Sequence, residues 1–170
     1  MDLARFNRLA QRNRSRLRAF LRKLDDLVPE DFQPLVDATD RQVWQEIDCT
    51  TCANCCKKMT PTYTKDDLQR IAQHFRMPVK LFKEKWLKPG DTAGEWVNRD
   101  TPCQFLQPDN RCGIYAIRPL DCAEFPHHNK QPFDEWNDTF IGNVDKCPAT
   151  YELVSRLKAQ VEAGWEFPET

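Results

Sequence analysis

Apolar residues recur over the first thirty positions at alternating intervals of three and four: Leu3, Phe6, Ala10, Leu17, Phe20, Leu24 and Leu27, interrupted at Asn13. That period places them on one stripe of a helix over residues 2–28, with the arginines on its flanks and back. Pro29 ends it, because the residue before a proline is disfavoured in the helical region. Within 30–48 a short helix is predicted, capped by Thr39 or Asp40 and turning Val43, Trp44 and Ile47 inward. Thr64-Lys65-Asp66-Asp67 reads as a capping box that opens a helix with Leu68, Ile71, Ala72 and Phe75 as its buried stripe. Met77-Pro78 stops that helix, and Pro78 suits the first turn of another. Val79, Leu81, Phe82, Trp86 and Leu87 give this next helix an apolar side before Pro89-Gly90 ends it. Residues 91–102 are polar around Trp96-Val97, which predicts a short strand or extended segment. Pro108-Asp109-Asn110-Arg111 is a turn by composition, so Cys103 and Cys112 lie on the arms of a small hairpin or knuckle. Residues 113–147 hold Arg118-Pro119, Phe125-Pro126 and Pro132 with few regular periods, and irregular loop is expected. Pro148 suits the first position of a final helix over 148–165, with Tyr151, Val154, Leu157, Val161 and Trp165 on its buried face.

These elements predict a mainly α fold with irregular loops, a small helical shell around a cysteine-ligated metal centre. The expected organisation is a basic amphipathic helix over 1–28, as an extension, and a cysteine-cluster metal-binding domain over 29–170. A chain of 170 residues with 40% hydrophobic and 30% charged positions fits one globular unit rather than a disordered chain. No run of about 18 apolar residues is present to cross a membrane. The N-terminus lacks the apolar core of a secretory signal, so a cytoplasmic location is expected. In that reducing setting eight cysteines read as metal ligands before disulfides.

Charge is uneven. Residues 1–28 carry eight Arg or Lys against three Asp, while the chain as a whole has a formal net charge of −1. The basic stretch reads first as the solvated face of a packed helix. Its heptad-like seam would also suit a partner chain or self-association. A membrane-surface, RNA-binding or targeting role ranks last, and no general basic character points to nucleic acid.

The chemistry is concentrated in Cys49-Thr50-Thr51-Cys52-Ala53-Asn54-Cys55-Cys56. Two cysteines separated by two residues can wrap a turn so that both sulfurs face one point, as in zinc and iron–sulfur sites. Here Cys49, Cys52 and Cys55 make two such steps. Adjacent side chains tend to diverge, so the doubled Cys55-Cys56 points to two neighbouring metal positions or a multinuclear cluster. Cys103, Cys112 and Cys122 follow at intervals of nine and ten, and Cys147 can add an eighth sulfur. Cys147 also suits a small buried apolar side chain. Thiolate-only ligation serves both zinc and iron, including an iron–sulfur cluster. Lys57, Lys58, Arg111 and Arg118 lie beside these ligands and could offset the charge of clustered thiolates.

Cys49-x-x-Cys52-x-x-Cys55-Cys56, Cys103-Gln-Phe-Leu, Cys112-Gly-Ile-Tyr-Ala-Ile-Arg-Pro and Cys122 with Phe125-Pro126 together resemble the YkgJ-type cysteine-cluster family of zinc- or iron-chelating domains. The resemblance covers roughly residues 45–150. It implies Cys49, Cys52, Cys55, Cys56, Cys103, Cys112 and Cys122 as the cluster residues. That family often carries an arginine directly after the cysteine matching Cys122, where this chain has Ala123. Flagellin lysine methylase is similar in its cluster type, which by analogy admits a redox or protein-modifying enzyme. A third reading is an interaction module stapled by zinc.

No catalytic motif accompanies the cysteines. With five glycines the chain has no phosphate-cradling loop, and neither a Gly-x-Ser-x-Gly elbow nor a His-Glu-x-x-His helix occurs. His127 and His128 read as surface loop residues, or as imidazoles completing a mixed Cys/His site. Glu124 is a base candidate beside a metal, and His74 reads as structural.

Overall fold

The computed structural model describes residues 2–24 and 32–164. In chain order the elements are α1 (Leu3–Leu24), α2 (Phe32–Glu46), α3 (Cys49–Cys52), α4 (Asn54–Lys58), α5 (Lys65–His74), α6 (Val79–Trp86), β1 (Leu87–Pro89), β2 (Trp96–Asn98), α7 (Leu120–Glu124), α8 (Asn137–Asn143) and α9 (Pro148–Glu162). Short 3-10 turns cover Tyr115–Ile117 and Phe133–Trp136. The fold is mainly helical. It divides into two compact units, one of residues 1–48 and 126–170, the other of Cys49–Phe125. No helix among the described residues is long and apolar enough to cross a membrane.

The first unit is a helical assembly in which α2 packs on α9, and α1 on α8 and α9. The stripe of α1 is buried at Phe6, Ala10, Leu17, Phe20, Leu21 and Leu24. The heptad-like seam is thus covered by this chain's own helices, and Leu27 and Pro29 lie outside the described residues. Asn13, the polar break in the stripe, donates to the Tyr151 hydroxyl at 2.7 Å, so the interruption is a satisfied polar pair. Phe133 stacks on Phe140 at 4.1 Å and meets Phe32 edge-on at 6.0 Å.

Two expectations change here. Thr39 does not cap a short helix. It lies inside α2, its hydroxyl donating to the Leu35 carbonyl at 2.8 Å, the back-bond open to a threonine within a helix. The stretch expected to be loop contains α7 and α8; the latter is about two turns of helix whose Phe140 stacks on Phe133, with no periodic pattern to mark it. α9 starts with Pro148 at its first turn and buries Tyr151, Val154 and Leu157, as the spacing predicts; Trp165 lies outside the described residues.

The second unit is built on an aromatic cluster. Tyr63, Leu68, Ile71, Ala72, Phe82, Leu87, Phe105 and Ile114 are buried, with Phe75, Trp86 and Trp96 packed against them. Phe105 stacks on Phe75 at 5.7 Å and on Phe82 at 6.5 Å. α5 carries the predicted capping box, with Asp67 N donating to the Thr64 hydroxyl and Thr64 N to the Asp67 carboxylate. Phe82 in α6 and Leu87 at the start of β1 are buried, but Leu81 is 52% exposed, standing about 100° around the helix from Phe82. β1 and β2 pair antiparallel with Leu87 opposite Asn98 and Pro89 opposite Trp96. Tyr63 N extends this ladder by donating to Trp96 O at 3.0 Å. Cys103 and Cys112 pack on the same cluster, so the apolar core of this unit supplies the wall that half-buries two thiols.

Candidate metal centre

The first cysteine group is folded by a break between two short helices. Ala53 sits in the left-handed region at φ 50°, a conformation that costs a non-glycine residue about 1–2 kcal/mol. It ends α3 after the buried Cys52 and starts α4 in a new direction, with Lys57 N bonding back to Ala53 O at 3.2 Å. On α4 the doubled cysteine does not diverge: the Cys55 and Cys56 sulfurs are 3.9 Å apart. Sulfurs about 2.3 Å from one tetrahedral ion stand about 3.8 Å from each other. The pair therefore already holds the separation that one thiolate-bound ion requires.

The downstream cysteines are brought up by backbone bonds and by one buried carboxylate. Cys103 N donates to Cys56 O at 2.7 Å, tying the two groups together directly. From Cys103 the chain turns through Leu106 N to Cys103 O and Gln107 N to Arg111 O, and Leu106 bridges antiparallel to Cys112. That is the predicted knuckle, with a cysteine on each arm. Cys122 sits on α7, whose start is set by Asp67. The Asp67 side chain is 3% exposed, pairs with Arg70 at 2.6 Å and accepts from Leu120 N at 3.2 Å. Arg70 also donates to Arg118 O, and the Arg118 guanidinium lies 3.9 Å over the Tyr115 ring while donating to Tyr115 O. The Ile-Tyr…Arg-Pro spacing thus builds a braced turn between Cys112 and Cys122. Asp121 closes it by accepting from Thr62 N at 3.0 Å.

The thiols act on one another. Cys56 is brought down to about 7, first by its contact with Cys55 and also by the Lys57 charge, against the opposing effect of burial. Burial pushes the Cys103, Cys112 and Cys122 thiols up, and negative charge on Cys56 pushes each further. Cys122 is raised additionally by Asp121, Cys103 and Cys112. Arg118 works the other way on Cys112. Tyr63 is raised by burial and then by the charges of Cys103 and Cys122. Cys56 and Cys103 are joined by their backbone bond, Cys112 stands on the other arm of the Cys103 knuckle and Cys122 on α7, with Cys55 beside Cys56 on α4.

The remaining candidates fall elsewhere. Cys49 is exposed at the start of α3. Cys147 is buried at the N-cap of α9 and belongs to the first unit, whereas the other seven cysteines belong to the second. None of the eight is in a disulfide. His128 is not a surface residue. It is buried with one ring nitrogen 2.6 Å from Asp40 and the other 2.9 Å from the Thr150 hydroxyl, so both nitrogens are engaged. Arg111 pairs with Asp109 at the turn. Among the described residues no group of three or more His, Cys, Asp or Glu side chains is placed to hold a metal ion. As a donor set, the gathered thiols suit a soft-ligand ion.

Sequence reasoning passed over Asn98 and the wider role of Asp67. Asn98 is fully buried, and its amide oxygen accepts from the Tyr63 hydroxyl at 2.6 Å and from Gln104 at 3.0 Å. One asparagine at the end of a polar stretch carries no periodic signal. The capping-box pattern did mark Asp67, but only as a helix start.

A helical, thiol-rich unit with donors from three segments defines a class, the cysteine-cluster domains. The family model CxxCxxCC, described as "Putative zinc- or iron-chelating domain", matches residues 48–142, more than half of the chain. The chain belongs to this family. No curated protein and no solved structure matches it.

Proposed function

We propose that the protein chelates zinc or iron through a thiolate centre formed by Cys56, Cys103, Cys112 and Cys122, with Cys55 beside them. The observation that carries this reading is the geometry that joins the two cysteine groups: the Cys55 and Cys56 sulfurs are 3.9 Å apart, Cys103 N donates to Cys56 O at 2.7 Å, and Cys112 stands on the other arm of the Cys103 knuckle. Cys49 and Cys52, one short helix upstream, are the further sulfurs available for a second ion or a multinuclear centre. Cys147 is left out and serves as a small buried side chain.

The bound ion would supply a charge that stabilises four thiolates at once and would staple α4, the 103–112 knuckle and α7 together. Binding displaces thiol protons, and its free energy adds to folding. Lys57 and Arg118 offset part of the negative charge, as their effects on Cys56 and Cys112 indicate.

The test is anaerobic purification followed by determination of metal and acid-labile sulfide. Stoichiometric zinc or iron in the intact chain, lost in Cys56→Ser and in Cys122→Ser, is expected. Absence of stoichiometric metal, or full retention in both variants, overturns the reading. The double Cys-x-x-Cys step over Cys49, Cys52 and Cys55 supports an iron–sulfur version with redox or protein-modifying chemistry. Metal without acid-labile sulfide removes that version.

A further inference from the structure

α6 and the β1–β2 hairpin border a groove of about 580 Å³ in the second unit. Val79, Leu87 and Trp96 give it an apolar floor. Among the described residues that line it, four cations, Lys80, Lys83, Lys88 and Arg99, face one carboxylate, Glu84. Glu84 stands 3.9 Å from Lys80, and both side chains are exposed, so that pair neutralises little. Among the described residues Lys83, Lys88 and Arg99 pair with no carboxylate. Two of these cations are held in place. The Lys83 ammonium lies 4.3 Å over the Trp96 ring. Arg99 donates through one guanidinium nitrogen to Glu84 O at 2.6 Å and to Leu87 O at 3.2 Å. That fixes its fork where α6 meets β1 and leaves its other nitrogens to a ligand.

An apolar floor beneath held cations fits a ligand that is anionic and carries an apolar side group. Other polyanions fit less well. Lys83 covers the Trp96 ring, which also packs against the aromatic core, so the ring is no platform for a stacked base. The floor is recessed, with Leu87 buried, so it does not stand proud to enter a lipid surface. The groove is open to solvent, which suits a length of chain lying across it more than a small molecule enclosed by it. Leu87 N bonds to Lys83 O, Leu87 O accepts from Arg99, and Pro89 has no N–H. The edge of β1 therefore offers little to an added strand, and recognition falls to side chains.

We infer that this groove is a docking site for an acidic peptide segment of a partner protein. The segment sets an aromatic or aliphatic side chain over Val79 and Trp96, with carboxylates reaching Arg99 and the three lysines. The partner is thereby held on the unit that carries seven of the eight cysteines. Docking here uses no cysteine and does not depend on which ion the centre holds.

The experiment titrates the full chain into a fluorescein-labelled peptide, two glutamates on each side of one phenylalanine, and reads fluorescence anisotropy. Saturable binding that weakens as salt is raised is expected. The same peptide with glutamine for every glutamate, or with alanine for phenylalanine, should bind roughly tenfold less well. The double variant Lys80→Glu/Lys88→Glu should lose roughly 10–50-fold, because two attractions become repulsions. Both lysines are exposed, so metal content should match the wild type. Glu84→Gln removes the opposing charge and should bind about two- to fivefold more tightly. It decides alone should the double variant fail to fold. A labelled poly(U) oligomer and vesicles of phosphatidylcholine and phosphatidylserine are titrated alongside. Absence of saturable binding by the acidic peptide, equal binding of either control peptide, or unchanged affinity in both variants overturns the inference. So does binding of RNA or vesicles that is tighter than that of the peptide and lost in the double variant, since the groove then serves another polyanion.

Discussion

Replacing Cys56 by serine is the sharpest perturbation of the proposed centre. Cys56 is the thiol whose charge reaches Cys103, Cys112 and Cys122, and its sulfur stands 3.9 Å from that of Cys55. A structural zinc site is worth about 10–16 kcal/mol in apparent binding free energy. Divided evenly over four thiolates, that is about 2.5–4 kcal/mol each, or roughly two to three decades of affinity. Cys56 should fall at the upper end. Of those four thiols it is the one brought down, to about 7, so it gives up its proton at least cost. The metal-free fold should barely notice the change. The 2.7 Å bond from Cys103 N goes to the Cys56 backbone carbonyl, which serine retains. The assay is zinc competition against a colorimetric chelator, paired with thermal unfolding in the presence and absence of excess chelator. Affinity should drop about 100–1000-fold and stability only in the metal-loaded state. Affinity within threefold of the wild type would refute the reasoning, as would a melting point lowered equally with and without chelator.

Other outcomes follow from the same geometry. Asp67→Ala should cost about 2–3 kcal/mol in urea unfolding, mainly from the Thr64 and Leu120 backbone donors it leaves unpaired; the Arg70 pair adds little because that side chain is 41% exposed. It should also weaken zinc binding, since α7 carries Cys122; unchanged affinity would separate Asp67 from the site. In reduced, chelator-treated protein, iodoacetamide at pH 7 should label Cys56 before Cys122, because Cys56 is brought down to about 7 while burial raises Cys122. As pH falls below about 7 the Cys56 thiolate is protonated and its labelling rate should fall, approaching tenfold per unit; peptide mass spectrometry showing Cys122 labelled first would contradict the order. His128→Phe should cost about 2–4 kcal/mol by stranding Asp40 and Thr150, with metal content unchanged. Loss of metal in that variant would reinstate the imidazole as a ligand.

What could be read from the chain alone was whatever depends on near neighbours in sequence. The Thr64–Asp67 capping box, the stripe of α1 and the Pro148 start of α9 rest on contacts three or four residues apart, and each is present. The cysteine inventory and its soft-metal chemistry were equally legible, because donor type needs no coordinates. Local pattern failed where packing decided. Leu81 matched the apolar count of α6 but faces out, and α8 has no period yet forms because Phe140 finds Phe133. Thr39 resembled a cap, but the helix runs on through it with its hydroxyl bonded within the turn. The same division governs the site. That Cys49–Cys56 is thiolate-rich is a property of eight consecutive residues. That Cys103 N bonds to Cys56 O, that His128 is spent on Asp40 and Thr150, and that buried Asn98 accepts from Tyr63 and Gln104 are decisions of the tertiary structure. Each depends on groups tens of residues apart being held together by buried hydrogen bonds and an aromatic core, and no local spacing encodes such approaches.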